Sequence, residues 1–336
     1  MYLRSIDWVD GKIKIIDQTK LPNDLEYKYL ENLDDVVEAI KNMRVRGAPL
    51  IGITAVLGLA LVAYQNMDRT GEDLLYVLKN AYEKLKKSRP TAVNLVNMMD
   101  VLMDYARQNP LPNEVVSFAL KLMEQDVDTN RKMAEYGSEL IEDGDVVLTH
   151  CNTGSLATVS IGTALGVILR AYEKGKEFKV VITETRPKLQ GARITAFELL
   201  YAGLKPTLIV DSAVSHVMKS LGITKIFVGA DRILRDGTTF NKIGTYQIAI
   251  AARYHNIPFF VVAPTTTFDL TNDMEDVIIE NRGKEEVIKC GDKYIAPKDV
   301  NVYNPAFDAT PPELISGIVT EKGVYYPPFD FSGLKR

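Results

Sequence analysis

The chain has few of the residues on which metal and redox chemistry depends, with 2 cysteines and 3 histidines among 336 residues. Cys151 and Cys290 lie far apart, forming neither a CxxC pair nor a disulfide framework, so a reducing, cytoplasmic setting is expected. His150, His216 and His255 fall into no HxxxH spacing, and no metal site is expected. Neither GxGxxG nor GxxxxGK[ST] occurs, so nicotinamide and nucleoside triphosphate binding lack their usual handle. Lys and Arg number 40 against 44 Asp and Glu, for a net charge of -4, and they are scattered. Without a basic stripe, nucleic acid is not an expected partner. A small anion remains an expected ligand, since a few local cations suffice for it. The N-terminus has no apolar signal core. The most apolar stretch, 48–64, is shorter than the roughly 20 residues a membrane span needs. It also contains Pro49, Gly52, Thr54 and Gly58, and it reads as a buried core helix.

What remains is ordinary globular composition, 46% hydrophobic and 25% charged, in a chain long enough for two domains. Asp10-Gly11 between two alternating runs predicts a hairpin. Leu33, Val36, Val37, Ile40 and Met43 recur at helical spacing, and helical patterns continue through 50–64, 71–87, 90–108 and about 113–141. Pro90 suits the first turn of its helix. From residue 144 the texture changes. Val146-Val147-Leu148, Val180-Val181-Ile182, Leu208-Ile209-Val210, Ile226-Phe227-Val228 and Phe259-Phe260-Val261-Val262 alternate with helical stretches. Such runs are strands of a parallel sheet covered on both faces. The expected class is α/β: a mostly helical N-terminal domain with a small antiparallel element over 1–124, then a Rossmann-like, doubly wound parallel-sheet domain over 125–336.

Ligands of open α/β sheets bind beyond the carboxyl ends of the strands. The five runs are followed by Thr149-His150-Cys151-Asn152-Thr153-Gly154, Thr183-Glu184-Thr185-Arg186, Asp211-Ser212, Gly229-Ala230-Asp231-Arg232 and Ala263-Pro264-Thr265-Thr266-Thr267. Five polar segments in succession, holding a thiol, acids and anion binders, mark that edge as the site. Cys151 is expected where a strand gives way to a helix, in a turn with Gly154, Ser155 and Thr158, a place that favours a reactive thiol. A small buried cysteine is the plainer reading. Asp231 follows a buried strand and is a candidate general acid; a helix cap or a partner of Arg232 is the alternative. Asn241-Lys242-Ile243-Gly244-Thr245 opens a helix whose N–H groups, with Lys242, could hold a phosphate. Arg46-Gly47-Ala48-Pro49 and Arg89-Pro90-Thr91-Ala92-Val93-Asn94 supply cations in the helical domain, and glycine after Arg46 permits close approach of a ligand.

These segments, together with Glu184-Thr185-Arg186-Pro187, Gln190-Gly191-Ala192-Arg193 and Asn304-Pro305-Ala306-Phe307-Asp308, resemble the signature segments of the 5-methylthioribose-1-phosphate isomerase family, in the family's order. The resemblance implies catalytic positions at Cys151 and Asp231 and substrate-binding positions at Arg46, Gly47, Ala48, Arg89, Gln190, Asn241 and Lys242. It also implies a homodimer, a sugar phosphate substrate, no cofactor and a place in methionine salvage. Two relatives set the alternatives. Ribose-1,5-bisphosphate isomerases share the fold and the catalytic pair, and the regulatory subunits of the exchange factor for eukaryotic translation initiation factor two share the fold and act by binding.

Overall fold

The computed structural model describes residues 2–89 and 93–334, so the expected place of Pro90 in a helix's first turn lies outside the described residues. The chain forms two compact units, one of Met1–Arg131 with Thr153–Gly162, the other of Lys132–Asn152 with Thr163–Arg336.

The first unit opens with an antiparallel sheet of β1 (Ile6–Val9), β2 (Lys12–Ile16) and β3 (Tyr27–Leu30). Asp10 and Gly11 form the two-residue turn with φ of 49° and 75°, the doubly left-handed geometry that suits a tight hairpin. Then come α1 (Leu33–Lys41), α2 (Ala48–Tyr64), α3 (Gly71–Ser88) and α4 (Val93–Gln108), before α5 (Pro112–Ser138) leads into the second unit. The Asn32 side chain caps α1 by accepting from Asp35 N. Met43, expected on the face of α1, lies beyond its end in a left-handed conformation (φ 56°). There Met43 N donates to Ile40 O and Arg44 N to Ala39 O, the paired bonds that close a helix C-terminus. α2 is buried from Leu50 to Ala63, as its apolar sequence requires. Among the described residues no helix is long and apolar enough to cross a membrane.

In chain order the strands of the second unit are β4 (Val146–Thr149), β5 (Lys179–Thr183), β6 (Thr207–Ile209), β7 (Lys225–Val228), β8 (Arg232–Leu234), β9 (Thr239–Lys242), β10 (Phe259–Val262), β11 (Phe268–Asp269), β12 (Lys289–Cys290), β13 (Lys293–Tyr294), β14 (Phe307–Thr310), β15 (Gly317–Thr320) and β16 (Gly323–Tyr325). Its helices are α6 (Ala164–Glu173), α7 (Ala196–Tyr201), α8 (Val214–Ser220), α9 (Thr245–Tyr254) and α10 (Glu285–Ile288). The main sheet runs β16-β15-β10-β7-β4-β5-β6, parallel except for β16. All five apolar runs lie in it, and β15 and β16 extend it beyond them. β6 departs from the expectation of burial on both faces: it is an edge strand, with Leu208 exposed. The core joins Leu148, Val181, Ile226, Phe259, Val261 and Ile318 of the sheet to Val217 and Ile248 of α8 and α9. A second sheet, β11-β8-β9-β14, carries Asp231 and Asn241-Lys242 at its margin, and β12 pairs with β13 in a separate ribbon.

Candidate active site

From β4 the chain fills the sheet outward through β5 and β6, then returns to the other side of β4 with β7, β10 and β15. The order therefore reverses between β4 and β7, and such a reversal opens a crevice at the strands' carboxyl ends. β4 leads directly to Cys151, and β7 leads to Asp231. The two candidate catalytic residues thus follow the two strands that flank the switch point.

Cys151 is buried and takes a left-handed backbone conformation (φ 64°), which costs a residue with a Cβ about 1–3 kcal/mol. Hydrogen bonds on both sides hold it there. Cys151 N donates to Thr185 Oγ1 (2.9 Å), and its carbonyl accepts from Thr195 Oγ1 (2.6 Å). The next side chain is fixed as well, since Asn152 Nδ2 donates to Glu198 Oε2 (2.8 Å). Thr185 is itself left-handed (φ 63°), and the Asp211 carboxylate steadies it by accepting from Thr185 N and Arg186 N. The expectation that Cys151 sits at a helix N-terminus does not hold. After it the chain makes only a short 3-10 turn at Ser155–Ala157, and α6 begins at Ala164. Residues 153–162 pack within the first unit instead, where Ser5 Oγ donates to Ser155 O and Gln18 Nε2 to Leu156 O. Tertiary contacts override the helix-like Gly-Ser start.

His150 is buried, with Nδ1 2.6 Å from Thr183 Oγ1 and Nε2 3.0 Å from Ile243 O. Burial pushes its pKa down to about 4, against the pull of Asp211, so the ring is neutral near pH 7.

Asp231 N donates to Phe240 O (2.8 Å), while Arg232 faces that same Phe240 in the ladder. Two residues opposing one make a β-bulge, a device that re-aims a side chain. Arg232 Nη1 bridges Asp269 (3.2 Å). Asn241 and Lys242 end β9 rather than opening the helix, which starts at Thr245 after a left-handed Gly244 (φ 104°). Asn241 Nδ2 donates to Thr245 Oγ1 (3.0 Å), and Lys242 Nζ donates to Ala306 O (2.9 Å) and lies 4.9 Å from the centre of the Phe307 ring. The start of α9 is not open for phosphate as expected, because Gly244 N already donates to Asp308 Oδ2 (2.8 Å). Burial raises the Asp308 pKa to about 6. A protein carboxylate thus fills the place expected for a phosphate at the start of α9.

Gln190 precedes a π-helical turn at Gly191–Thr195, an uncommon element often found at functional sites. A Cβ on Gly191 would stand 1.8 Å from Thr183 O, so only glycine permits the turn to close on β5. Gln190 is buried, and its Oε1 has no hydrogen-bond partner among the described residues. An orphaned buried acceptor of this kind calls for an explanation, and a ligand hydroxyl would satisfy it.

Arg46, Gly47, Ala48 and Arg89 belong to the first unit. Gly47 (φ 101°) precedes α2, whose first residue is Ala48, and among the described residues no side chain caps that helix start. The gap left by Gly47's missing side chain is filled by the protein rather than by a ligand: a Cβ there would stand 2.7 Å from Ala157 Cα. Arg46 is half-buried just ahead of it, and Arg89 is half-buried at the end of α3. Arg44 is committed elsewhere, to Asp17 and Glu38, and it holds the Glu38 carboxyl down at about 2. The segment Pro90-Thr91-Ala92 lies outside the described residues. Among the described residues no cluster of His, Cys, Asp and Glu could hold a metal ion. His150, Thr185, Thr195, Glu198 and Asp308 shape the site although the sequence reading assigned them no role. The one signal for the first two was their position in the polar segments after β4 and β5.

The sequence profile of the Initiation factor 2 subunit family matches residues 44–327. Methylthioribose-1-phosphate isomerase 2 of Pseudothermotoga lettingae is 47% identical over 332 residues, 97% of this chain and 96% of that protein. The crystal structure of 5-methylthioribose 1-phosphate isomerase from Pyrococcus horikoshii OT3 matches with a TM-score of 0.91 at 44% identity, over 97% of this chain and 93% of that one. The crystal structure of the translation initiation factor eIF-2B, subunit delta, from A. fulgidus matches with a TM-score of 0.87 at 50% identity, over 97% and 96% of the two chains.

Proposed function

The chain belongs to the Initiation factor 2 subunit family, and from that premise we propose that it is an aldose–ketose isomerase, converting 5-methylthioribose 1-phosphate to 5-methylthioribulose 1-phosphate in methionine salvage. The observation that carries this reading is the placement of Cys151 and Asp231 after the two strands that flank the switch point.

In such a substrate the phosphate occupies the anomeric oxygen, so the ring cannot open as a free hemiacetal does. Opening needs a proton on the ring oxygen while C1 is activated. The redox change is internal, since C1 gains the hydrogen that C2 loses, and no nicotinamide is called for. Asp231 protonates the ring oxygen and, once ionised, takes the proton of the C2 hydroxyl. Cys151 stabilises the transition state or moves a proton. Arg46, Arg89 and Lys242 neutralise the phosphate, Gly47 and Ala48 offer backbone to it, and Gln190 and Asn241 bind hydroxyls. Among the described residues no side chain caps the start of α2, which supports the role of Ala48, because the N–H groups of a helix N-terminus favour anions. The orphaned Oε1 supports the role of Gln190.

The test compares 5-methylthioribose 1-phosphate, ribose 1,5-bisphosphate and unphosphorylated 5-methylthioribose. Efficient turnover of the first, poor turnover of the second and none of the third is expected, since a second phosphate would carry an unpaired charge into a pocket for an apolar methylthio group. Asp231→Asn should lower turnover of the first at least about a hundredfold without loss of folding. Preference for the bisphosphate would assign the chain to the sister isomerases. Binding of sugar phosphates without turnover would favour a regulatory role, the reading to which the resemblance to an initiation factor subunit points.

A further inference from the structure

We propose that His150 is a positioning residue for this site, a neutral imidazole whose two nitrogens tie the strand end bearing Cys151 to the turn that follows Lys242. The proposal rests on the roles given above to Cys151 and Lys242. Its geometry stands independently of them.

The directions of the ring's bonds to Thr183 and Ile243 follow from those partners. Ile243 O can only accept, so the nitrogen 3.0 Å from it, Nε2, carries the hydrogen. In a neutral ring Nδ1 is then an acceptor, and its partner at 2.6 Å, Thr183 Oγ1, must donate. Thr183 Oγ1 can accept in turn from Thr185 Oγ1 (3.2 Å), which accepts from Cys151 N (2.9 Å). One chain of donors and acceptors thus runs from the Cys151 backbone through two hydroxyls and the imidazole to the Ile243 carbonyl. No member of it is left facing a like group. The ring also seats the turn by contact, since a Cβ on Gly244 would stand 3.1 Å from His150 Cε1. At the far end of the turn Ile243 N donates to Ala306 O, the same carbonyl that receives Lys242 Nζ. Movement of Ile243 therefore moves the frame that holds the ammonium. The other tautomer would aim its N–H at Thr183 and a lone pair at Ile243 O, reversing one hydroxyl and breaking the link to the turn. His150 is therefore one group with two separable arms, a thiol arm through Thr183 and a phosphate arm through Ile243.

Two amide substitutions separate the arms. In His150→Asn the amide oxygen lies near the place of Nδ1 and can still accept from Thr183, but nothing reaches Ile243. In His150→Gln the amide nitrogen reaches toward the place of Nε2 and can still donate to Ile243 O, but the bond with Thr183 is lost. Each variant is assayed for kcat and KM with 5-methylthioribose 1-phosphate. The alkylation rate of Cys151 by iodoacetamide is followed by peptide mass spectrometry, which separates it from exposed Cys290. His150→Asn should raise KM about tenfold, with kcat and alkylation near wild type, whereas His150→Gln should lower kcat about tenfold and change the alkylation rate with KM near wild type. Thr183→Val, which removes the hydroxyl at nearly constant shape, should repeat the Gln pattern, and Thr183→Ser should restore wild-type behaviour. If a histidine variant fails to fold, these two decide the thiol arm, and a Thr183→Val protein with wild-type kcat and alkylation overturns the proposal. Equal changes in kcat and KM in both histidine variants, no change in either, or the opposite assignment of the arms would overturn the proposal. Alkylation needs no turnover. A wild-type protein inert toward the sugar phosphate would sink the isomerase reading, and the thiol arm would then be judged by alkylation alone.

Discussion

Two kinds of buried ionisable group pull the stability of this molecule in opposite directions as pH falls. His150 has its pKa depressed by burial from 6.5 to about 4. The unfolded chain therefore takes up its proton first, and the stability His150 contributes is complete above about pH 6.5 and is lost as pH falls toward 4. Asp126 and Asp308 are pushed by burial from 3.8 up to about 6. Their protonated forms suit the fold, so their contribution is complete below about pH 4 and fades as pH rises through 6. Replacing one group isolates its share. His150→Gln should lose less melting temperature than the wild type between pH 6.5 and 4, and Asp126→Asn should remove a decline between pH 4 and 6. Parallel melting curves across pH for wild type and His150→Gln would show that the imidazole is not held neutral by burial. Asp126 also has a local duty within the first unit, since its Oδ2 accepts from Val159 N (2.9 Å) and from Asn130 Nδ2 (3.1 Å).

At the scale of elements, the π-helical turn at Gly191–Thr195 leaves no room for a side chain at its first residue. Gly191→Ala would drive a Cβ to 1.8 Å from Thr183 O, a backbone atom that cannot rotate away. Overpacking of this sort costs about 1–3 kcal/mol and sometimes more. The lost stability should be visible in denaturant titration, whereas Gly283→Ala, with nothing within 4 Å of its built Cβ, should melt with the wild type. A Gly191→Ala protein as stable as its parent would mean that the turn relaxes freely. The sequence did not announce this turn, because a π insertion has no periodicity of its own to read. What it did announce were the elements with a strong pattern. The runs at 146–148, 180–182, 226–228 and 259–262 are buried strands and look like it, and α2 is apolar because all its faces are covered. β8, β9 and β14 escaped because they are short, and β9 and β14 are also polar, with Asn241, Lys242 and Asp308 among their residues. The same limit explains the two local misreadings. Gly154-Ser155 has the chemistry of a helix start and Gly244-Thr245 that of an anion site. The deciding partners, Ser5 and Gln18 for the first and Asp308 for the second, are remote in sequence. Cys151 and Asp231 were legible as polar residues after apolar runs; His150, Thr183 and Thr185 stood in the same segments, but their hold on Cys151 depends on tertiary contacts that no local pattern shows.

For the whole molecule, the homodimer that the family resemblance implies should sediment at twice the 37.5 kDa of one chain, and a mass of one chain across micromolar concentrations would refute it. The path of the chain has a further consequence. Residues 153–162 leave the strand end that bears Cys151, take their place among the residues of the first unit and then return to begin α6. In that unit they meet Ser5 and Gln18, fill the space beside Gly47 and accept the anchorage of Asp126. Neither unit is therefore an unbroken stretch of sequence. A gene cut after the codon for Arg131 would encode an N-terminal fragment without the wall on which Gly47 rests, with the Asp126 carboxyl deprived of its Val159 partner. If a single crossover exchanged the helical unit for that of a distant relative, the exchanged piece would meet a foreign 153–162. A chimera joined at that single point would therefore carry a mismatch at its own Gly47 and Asp126, and it should melt below both parents.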